Sequence, residues 1–125
     1  MNTQNTIPMK ALIVEDEIDI CYLLTGILRK KNLKTESVNN LSAAREALAQ
    51  QQPYILFIDN HLPDGLGMNF IRQAKHDYPG MKIVMITAHD TSDDRFNALQ
   101  GGADKFIGKP FTRESINSAV DALMH

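Results

Sequence analysis

The chain has 125 residues, of which 43% are hydrophobic and 22% are charged, and its formal net charge is −2. These values are typical of a single globular domain, because the length is enough for a sizeable core and too short for two ordinary domains. A charge near zero with scattered basic residues does not favour wrapping nucleic acid or lying on an anionic membrane. The single cysteine, Cys21, excludes an intrachain disulfide and a cysteine-based metal site.

The N-terminal sequence MNTQNTIPM is polar and lacks the basic and apolar regions of a signal peptide. No window approaches the apolar length that is needed to span a bilayer. We therefore expect residues 1–8 to form a flexible tail, residues 9–125 to form one domain, and the protein to be cytoplasmic.

Five short runs alternate along the chain with five segments that have helical features. The runs predict strands at Lys10–Val14, Lys34–Val38 (the weakest candidate), Ile55–Ile58, Lys82–Thr87 and Lys105–Ile107. Apolar residues three or four positions apart predict helices that contain Ile20, Leu24, Ile27 and Leu28; Leu41, Ala44 and Leu48; Phe70, Ile71, Ala74 and Tyr78; and Ile116, Ala119, Val120 and Leu123. The helix after the fourth strand is predicted to begin at Asp93-Asp94 and to end at Gly101-Gly102.

Strands that are apolar on both faces and joined by helices favour a parallel sheet with helices on both sides. We therefore predict a single doubly wound α/β domain with five parallel strands. In an open parallel sheet of this kind, ligands bind beyond the carboxyl ends of the strands, where the strand order reverses.

Polar side chains lie at these strand ends. Glu15 and Asp16 follow the first strand, Asp59 follows the third, Thr87 ends the fourth and Lys109 follows the fifth. Crowded carboxylates repel one another, and a hard divalent cation with oxygen ligands, Mg²⁺, removes that cost. A carboxylate beside Mg²⁺ can attack phosphorus and form an aspartyl phosphate. Because a hydroxyl and an ammonium would stabilise the charge on the transferred group, we predict that Asp59 is a phosphoryl-accepting nucleophile.

Four blocks of the sequence, ALIVEDE, FIDNHLPDGLG, MITAH and GADKFIGKPF, occur in order at these strand ends. Together they resemble the response-regulator receiver domain of two-component signalling, from about Lys10 to the final helix. The resemblance implies a flavodoxin-like fold with the strand order 2-1-3-4-5. It implies a phosphorelay switch, rather than a turnover enzyme, that takes its phosphoryl group from a sensor histidine kinase or a histidine phosphotransfer protein. The output partner or output domain is unknown, and this segment is not expected to bind nucleic acid or membranes.

The resemblance also assigns roles to the strand-end residues. Asp59 matches the phosphoacceptor, and Glu15 and Asp16 match the acidic pair that holds Mg²⁺. Asp16 is the expected direct ligand, and the backbone carbonyl of His61 would complete the protein's share of the coordination.

The remaining roles concern the switch. Thr87 matches the switch hydroxyl, Phe106 matches the aromatic residue that moves inward with it, and Lys109 matches the phosphate-pairing lysine, with a cis bond to Pro110. Phosphorylation is expected to draw Thr87 toward the phosphoryl oxygens and to let Phe106 rotate inward. The surface formed by the fourth helix, the fifth strand and the fifth helix would then change, and a partner would bind to it.

Three positions near the predicted site depart from the usual family pattern or vary within it. His61 and His89 lie two residues beyond Asp59 and Thr87, at positions that tune phosphoryl lifetime in the family. They are either exposed loop histidines without a role or groups that make dephosphorylation depend on pH. Asn60 occupies a position where the family usually has an apolar residue.

The same residues bear on three alternative functions. A haloacid-dehalogenase-type phosphatase also uses a strand-end aspartate, but it requires a second aspartate where this chain has His61. Gly65 and Gly67 resemble part of a dinucleotide-binding motif, but Phe70 occupies the third glycine position. A receiver-like interaction module that does not take phosphate is the remaining alternative. The chain is interpreted either as a stand-alone receiver or as a piece of a longer regulator.

Overall fold

A computed structural model describes residues 9–88 and 91–124. The strands in these ranges are β1 (Lys10–Val14), β2 (Lys34–Val38), β3 (Ile55–Ile58), β4 (His61–Leu62), β5 (Gly65–Leu66), β6 (Lys82–Thr87) and β7 (Lys105–Gly108). The helices are α1 (Ile18–Lys30), α2 (Leu41–Gln50), α3 (Gly67–Asp77), α4 (Ser92–Gln100) and α5 (Arg113–Met124). The predicted N-terminal tail, residues 1–8, and His89 lie outside the described residues.

The main sheet has five parallel strands in the order β2-β1-β3-β6-β7. If only these five strands are counted along the chain, the order is 2-1-3-4-5, and the predicted doubly wound, flavodoxin-like α/β fold is confirmed. The chain leaves β1 toward one edge of the sheet, at β2, and then crosses to the other side of β1, at β3. The order therefore reverses between β1 and β3, which places the expected binding crevice at the carboxyl ends of these two strands.

The sheet separates two apolar cores, because successive side chains of a strand point to opposite faces. Leu12 and Val14 of β1 pack with buried residues of α2, α3 and α4. Ala11 and Ile13 of the same strand pack on the opposite face, with buried residues of α1 and α5. Burial on both faces is the physical reason that β1, β3 and β6 are nearly continuous apolar runs, whereas the edge strand β2 is polar and largely exposed.

Helix α4 is attached to the sheet by few buried side chains. Its N-terminus is capped by Thr91, whose Oγ1 accepts a hydrogen bond from the N–H of Asp94 at 3.0 Å. Ala98 is the buried residue of this helix. Phe96 and Leu99 are 62% and 46% exposed, so α4 presents apolar side chains to solvent.

The segment after β3 contains two short strands, β4 and β5, that are not among the five predicted strands. It forms a short antiparallel hairpin, in which His61 pairs with Leu66 and Leu62 pairs with Gly65. The other strands agree with prediction, except that β7 continues to Gly108. Within the described ranges, no helix combines the length and the apolar character that crossing a membrane requires.

Candidate functional site

Backbone hydrogen bonds just beyond the strand ends hold the predicted site residues beside one another. The N–H of Asp59 donates to the carbonyl of Val14 at 3.0 Å, and the N–H of Lys109 donates to the carbonyl of Thr87 at 2.9 Å. The first bond joins the ends of β3 and β1, so that Asp59 lies beside Glu15 at the point where the strand order reverses. The second bond joins the ends of β7 and β6. The site therefore lies where the topology predicts it.

The ammonium of Lys109 lies among three carboxylates. Its Nζ is 2.8 Å from Glu15 Oε1, 2.8 Å from Glu17 Oε2 and 3.4 Å from Asp59 Oδ2. Carboxylate oxygens of the three acids all lie within 4.8 Å of one another. Glu15 and Asp59 are buried, whereas the Glu17 side chain is 60% exposed. One cation thus holds together three anions that would otherwise repel one another.

Burial and ion pairing have opposite effects on the pKa values of Lys109 and Glu15. Burial would lower the pKa of Lys109, but its hydrogen bonds to Glu15 and Glu17 and the charge of Asp59 outweigh burial, so that the pKa lies above its usual range. Burial raises the pKa of Glu15 above its usual value, and the hydrogen bond from Lys109 opposes this rise. Lys109 therefore stays protonated at neutral pH and available to an anionic group.

Sequence reasoning missed Glu17. Glu17 directly follows Glu15 and Asp16 in the sequence, but the resemblance assigned roles only to those two residues. The N–H of Glu17 donates to Glu15 Oε2 at 3.2 Å, and this local turn at the start of α1 brings the Glu17 side chain to Lys109. Asp16 is exposed and lines a groove of about 490 Å³ between α1 and the start of α2, beside Cys21. Its role as the direct metal ligand stays a prediction.

The two predicted switch residues are both buried. Thr87 ends β6, and Phe106 on the neighbouring strand β7 is 7% exposed and packs in the core with α4. The guanidinium of Arg95 lies over the Phe106 ring, with Cζ 4.9 Å from the ring centroid. Arg95 Nη1 also donates to the Phe106 carbonyl at 3.3 Å. The aromatic side chain thus occupies an inward position here, and its coupling to Thr87 stays a prediction.

Asn60 joins strand β3 to helix α3. Its carbonyl accepts a hydrogen bond from the N–H of Gly67 at 2.7 Å, and its side-chain Oδ1 accepts one from the N–H of Met68 at 2.8 Å. Leu66, at the N-cap position of α3, offers no side-chain acceptor. Asn60 therefore caps this helix from the preceding loop, which gives a physical reason for a buried amide where an apolar residue is usual.

Asp64 joins the same loop to helix α2. Its carboxylate accepts hydrogen bonds from the backbone N–H groups of Leu41 at 2.8 Å and Ser42 at 3.0 Å. The bond from Leu41, with a further contribution from Ser42, lowers the pKa of Asp64 below its usual range. Asn40 caps the next free N–H of α2, that of Ala43, at 2.7 Å. The hairpin that follows Asp59 is thereby fixed to its neighbouring helix.

The remaining predicted residues have mixed outcomes. The bond between Lys109 and Pro110 is cis, as expected. His61 is exposed in β4, and the role of its carbonyl stays a prediction. The position of His89 lies outside the described residues. The thiol of Cys21 donates to the Glu15 carbonyl at 3.3 Å, and burial raises its pKa, so the thiolate that metal binding requires is disfavoured.

The donor set fits a hard divalent cation. Glu15, Glu17 and Asp59 offer only carboxylate oxygens, the ligands that Mg²⁺ prefers. One ammonium neutralises only part of the charge of three carboxylates, so the group keeps a net negative charge that a metal cation can neutralise.

A family model described as the response regulator receiver domain matches residues 11–121. The chain belongs to this family. Among its curated relatives, it is 40% identical to the response regulator protein PilR of Pseudomonas aeruginosa over 101 residues, which are 81% of this chain and 23% of PilR. It is 28% identical to the probable transcriptional regulatory protein TcrX of Mycobacterium tuberculosis, over 94% of this chain and 50% of that protein. The receiver domain thus spans half or less of these relatives.

Solved structures agree with this assignment. The solution structure of the beryllofluoride-activated NtrC4 receiver domain dimer superposes with a TM-score of 0.87 at 28% identity, over 91% of this chain and 94% of that one. The receiver domain of NtrX from Brucella abortus superposes with a TM-score of 0.85 at 28% identity, over 91% and 97% of the two chains.

Proposed function

We propose that this receiver domain accepts a phosphoryl group from a phosphohistidine donor onto Asp59, with Mg²⁺, and signals through the surface formed by α4, β7 and α5. The observation that carries the proposal is the position of Lys109 Nζ, 3.4 Å from Asp59 Oδ2, at the reversal of strand order. A buried carboxylate paired with a lysine at this point has the nucleophile and the anion-binding group of a phosphoryl acceptor.

The chemistry divides among residues of the chain. A carboxylate oxygen of Asp59 attacks phosphorus; a P–O bond forms as the P–N bond to the donor imidazole breaks, and the imidazole keeps the electron pair. Lys109 then pairs with one phosphoryl oxygen, and the Thr87 hydroxyl donates to another. Mg²⁺, held by Asp59, Glu15 and Asp16 with the His61 carbonyl, would neutralise charge on the carboxylates and the phosphoryl oxygens.

The signal would pass from the phosphoryl group to an exposed surface. Thr87 ends β6, whose residue Met85 is in register with Phe106 on β7, and Arg95 connects Phe106 to α4. Helix α4 has few buried side chains, so a change in its position requires little free energy. Phosphorylation at Asp59 would therefore alter the positions of Phe96 and Leu99, which are already exposed and apolar.

The proposal extends to partners and class of activity. A sensor histidine kinase or a histidine phosphotransfer protein would supply the phosphoryl group, in keeping with the family of PilR and TcrX. The domain would act as a cytoplasmic switch that modifies and dephosphorylates itself, rather than as a turnover enzyme. An output domain or a separate partner would respond to it.

Binding of beryllofluoride, an analogue of the phosphoryl group, tests this proposal. Amide NMR spectra would be recorded with Mg²⁺ alone, with beryllofluoride alone, with both together, and with both for the Asp59→Asn variant. We expect Mg²⁺ alone to shift signals around Asp59, and we expect further shifts that depend on beryllofluoride, at Thr87, Phe106 and Lys109, only in the wild-type protein with both additions. An unchanged spectrum in a folded protein would instead support the phosphate-independent interaction module.

A further inference from the structure

Glu17 is the carboxylate around Lys109 to which the proposed function gives no task. It provides one of the two shortest contacts of the lysine, 2.8 Å, while the acceptor Asp59 lies at 3.4 Å. Glu17 is the N-cap residue of α1, and its backbone is fixed by the bond from its N–H to Glu15 Oε2. The contact with Lys109 is therefore directed by local structure, although the Glu17 side chain is largely exposed.

An ammonium has three protons, and those of Lys109 are shared among Glu15, Glu17 and Asp59. The Asp59 contact, at 3.4 Å, is longer than a full charge-assisted hydrogen bond, so the ammonium must move away from Glu15 or Glu17 to engage a phosphoryl oxygen on Asp59 fully. Removing it from Glu15 would leave a carboxylate that is only 3% exposed without its cation, which is costly. If the Lys109 ammonium leaves Glu17 instead, water can solvate the exposed Glu17 carboxylate, so the loss of this contact costs little. Glu17 is thus the contact that yields when a phosphoryl group forms on Asp59.

We propose that Glu17 is a positioning residue that holds the Lys109 ammonium in a resting place and thereby weakens binding of a phosphoryl group at Asp59. The inference rests on the proposed function. The ion pair between Lys109 and the exposed Glu17 must be broken before Lys109 can bind a phosphoryl oxygen fully. Glu17 would therefore affect how readily Asp59 is phosphorylated. The cost is that of a surface ion pair, so its effect is a small factor rather than an on-off control.

Three variants separate this role from a simple effect of charge. Glu17→Asp keeps the charge but shortens the side chain by one methylene group, which withdraws the carboxylate from Lys109. Glu17→Gln keeps the length and removes the charge. Asp19→Asn is the matched control, because it removes an exposed acid from the first turn of the same helix, and Asp19 makes no ion pair with Lys109 within the described residues.

The first measurement uses the metal-free protein. Exchange of the Lys109 ammonium protons with water, followed by NMR, reports how firmly its partners hold it. We expect exchange to become about two- to fivefold faster in both Glu17 variants, the factor that an exposed ion pair supports, and to stay unchanged in Asp19→Asn. Unchanged exchange in the Glu17 variants would overturn the inference without touching the proposed function.

The second measurement is the affinity for beryllofluoride at saturating Mg²⁺, together with the affinity for Mg²⁺ alone. We expect both Glu17 variants to bind the analogue about two- to fivefold more tightly, and Glu17→Asp to bind Mg²⁺ as the wild type does. Analogue binding that is unchanged in Glu17→Asp, or weaker in either variant, would overturn the inference. So would a tenfold loss of Mg²⁺ affinity in Glu17→Asp, which would make Glu17 a metal ligand. If the wild type binds no analogue, the proposed function itself fails, and the inference fails with it.

Discussion

A β-carbon built on Gly67 would lie 2.4 Å from the carbonyl oxygen of Asp59, so these two residues are in direct backbone contact. The same β-carbon would meet Ile58 Cγ1 at 3.1 Å and Asn60 Cα at 3.2 Å. Helix α3 begins at Gly67. The Gly67 N–H donates a hydrogen bond to the carbonyl of Asn60, the residue after Asp59, and this bond holds the helix to the end of β3. A glycine at this position lets the helix approach β3 closely enough for that bond.

Gly67→Ala should therefore push the start of α3 away from Asp59. Because the nearest atom is backbone rather than a flexible side chain, we expect a loss of about 1–3 kcal/mol in the free energy of unfolding. Urea denaturation measures it. Gly26→Ala is the control, since a β-carbon at Gly26 meets nothing within 4 Å and alanine favours the interior of α1. Equal stability of the two variants would contradict the close contact.

The cap on α3 predicts a second loss of stability. Asn60→Ala removes the side-chain acceptor of the Met68 N–H, and we expect the free energy of unfolding to fall by about 1 kcal/mol. Asn69→Ala, at an exposed position on the same helix, should cost nothing measurable. Chemical denaturation of the two variants in parallel would show the difference. The assignment of Asn60 as a cap fails if the two proteins are equally stable.

The bonds of Asp64 to the start of α2 predict a dependence on pH. Because these bonds lower the pKa of Asp64, its contribution is complete above the ordinary value of 3.8 and is lost as the pH falls through the lowered value. Asp64→Asn should melt at a lower temperature than the wild type at pH 7, and the difference should shrink below pH 3.8. Glu46→Gln, an exposed acid on α2, should show neither effect. A difference in melting temperature that does not change with pH would exclude the charged cap.

The contact between Arg95 and Phe106 predicts the mobility of the Phe106 ring. Arg95→Ala removes both the stacked guanidinium and the hydrogen bond to the Phe106 carbonyl. We expect about 0.5–1 kcal/mol of lost stability and faster motion of the Phe106 ring, followed by NMR relaxation of its aromatic carbons. Arg95→Lys keeps the charge without the planar group and should be intermediate. Ring motion that is the same in all three proteins would show that Arg95 does not hold this side chain.

The elements of the fold were largely predictable because each carries a local signal. Ile55–Ile58 and Lys82–Thr87 are apolar on both faces, and this pattern is sufficient to identify buried parallel strands. The residues Glu15, Asp59 and Lys109 could also be predicted to meet, because a parallel sheet brings the carboxyl ends of its strands to one edge.

The contacts that the sequence did not predict depend on side-chain direction over long separations. Glu17 reaches Lys109 across 92 positions of the chain, and Asp64 reaches Leu41 across 23. Asp64 also lies in a turn-forming segment, where an aspartate is expected for local reasons alone. Asn60 was recognised as a departure from the family, but its bond to Met68 becomes visible only when the start of α3 is placed against the loop.

The most direct test of the central claim is intact mass after incubation with Mg²⁺ and phosphoramidate, a small donor with the P–N bond of phosphohistidine. The wild-type protein is expected to gain the mass of one phosphoryl group, and to gain none without Mg²⁺ or with Asp59→Asn. Lys109→Met should take up the group more slowly, because the ammonium that is paired with Asp59 is lost. A folded wild-type protein that gains no mass, or an Asp59→Asn variant that gains as much as the wild type, would contradict phosphoryl transfer to Asp59.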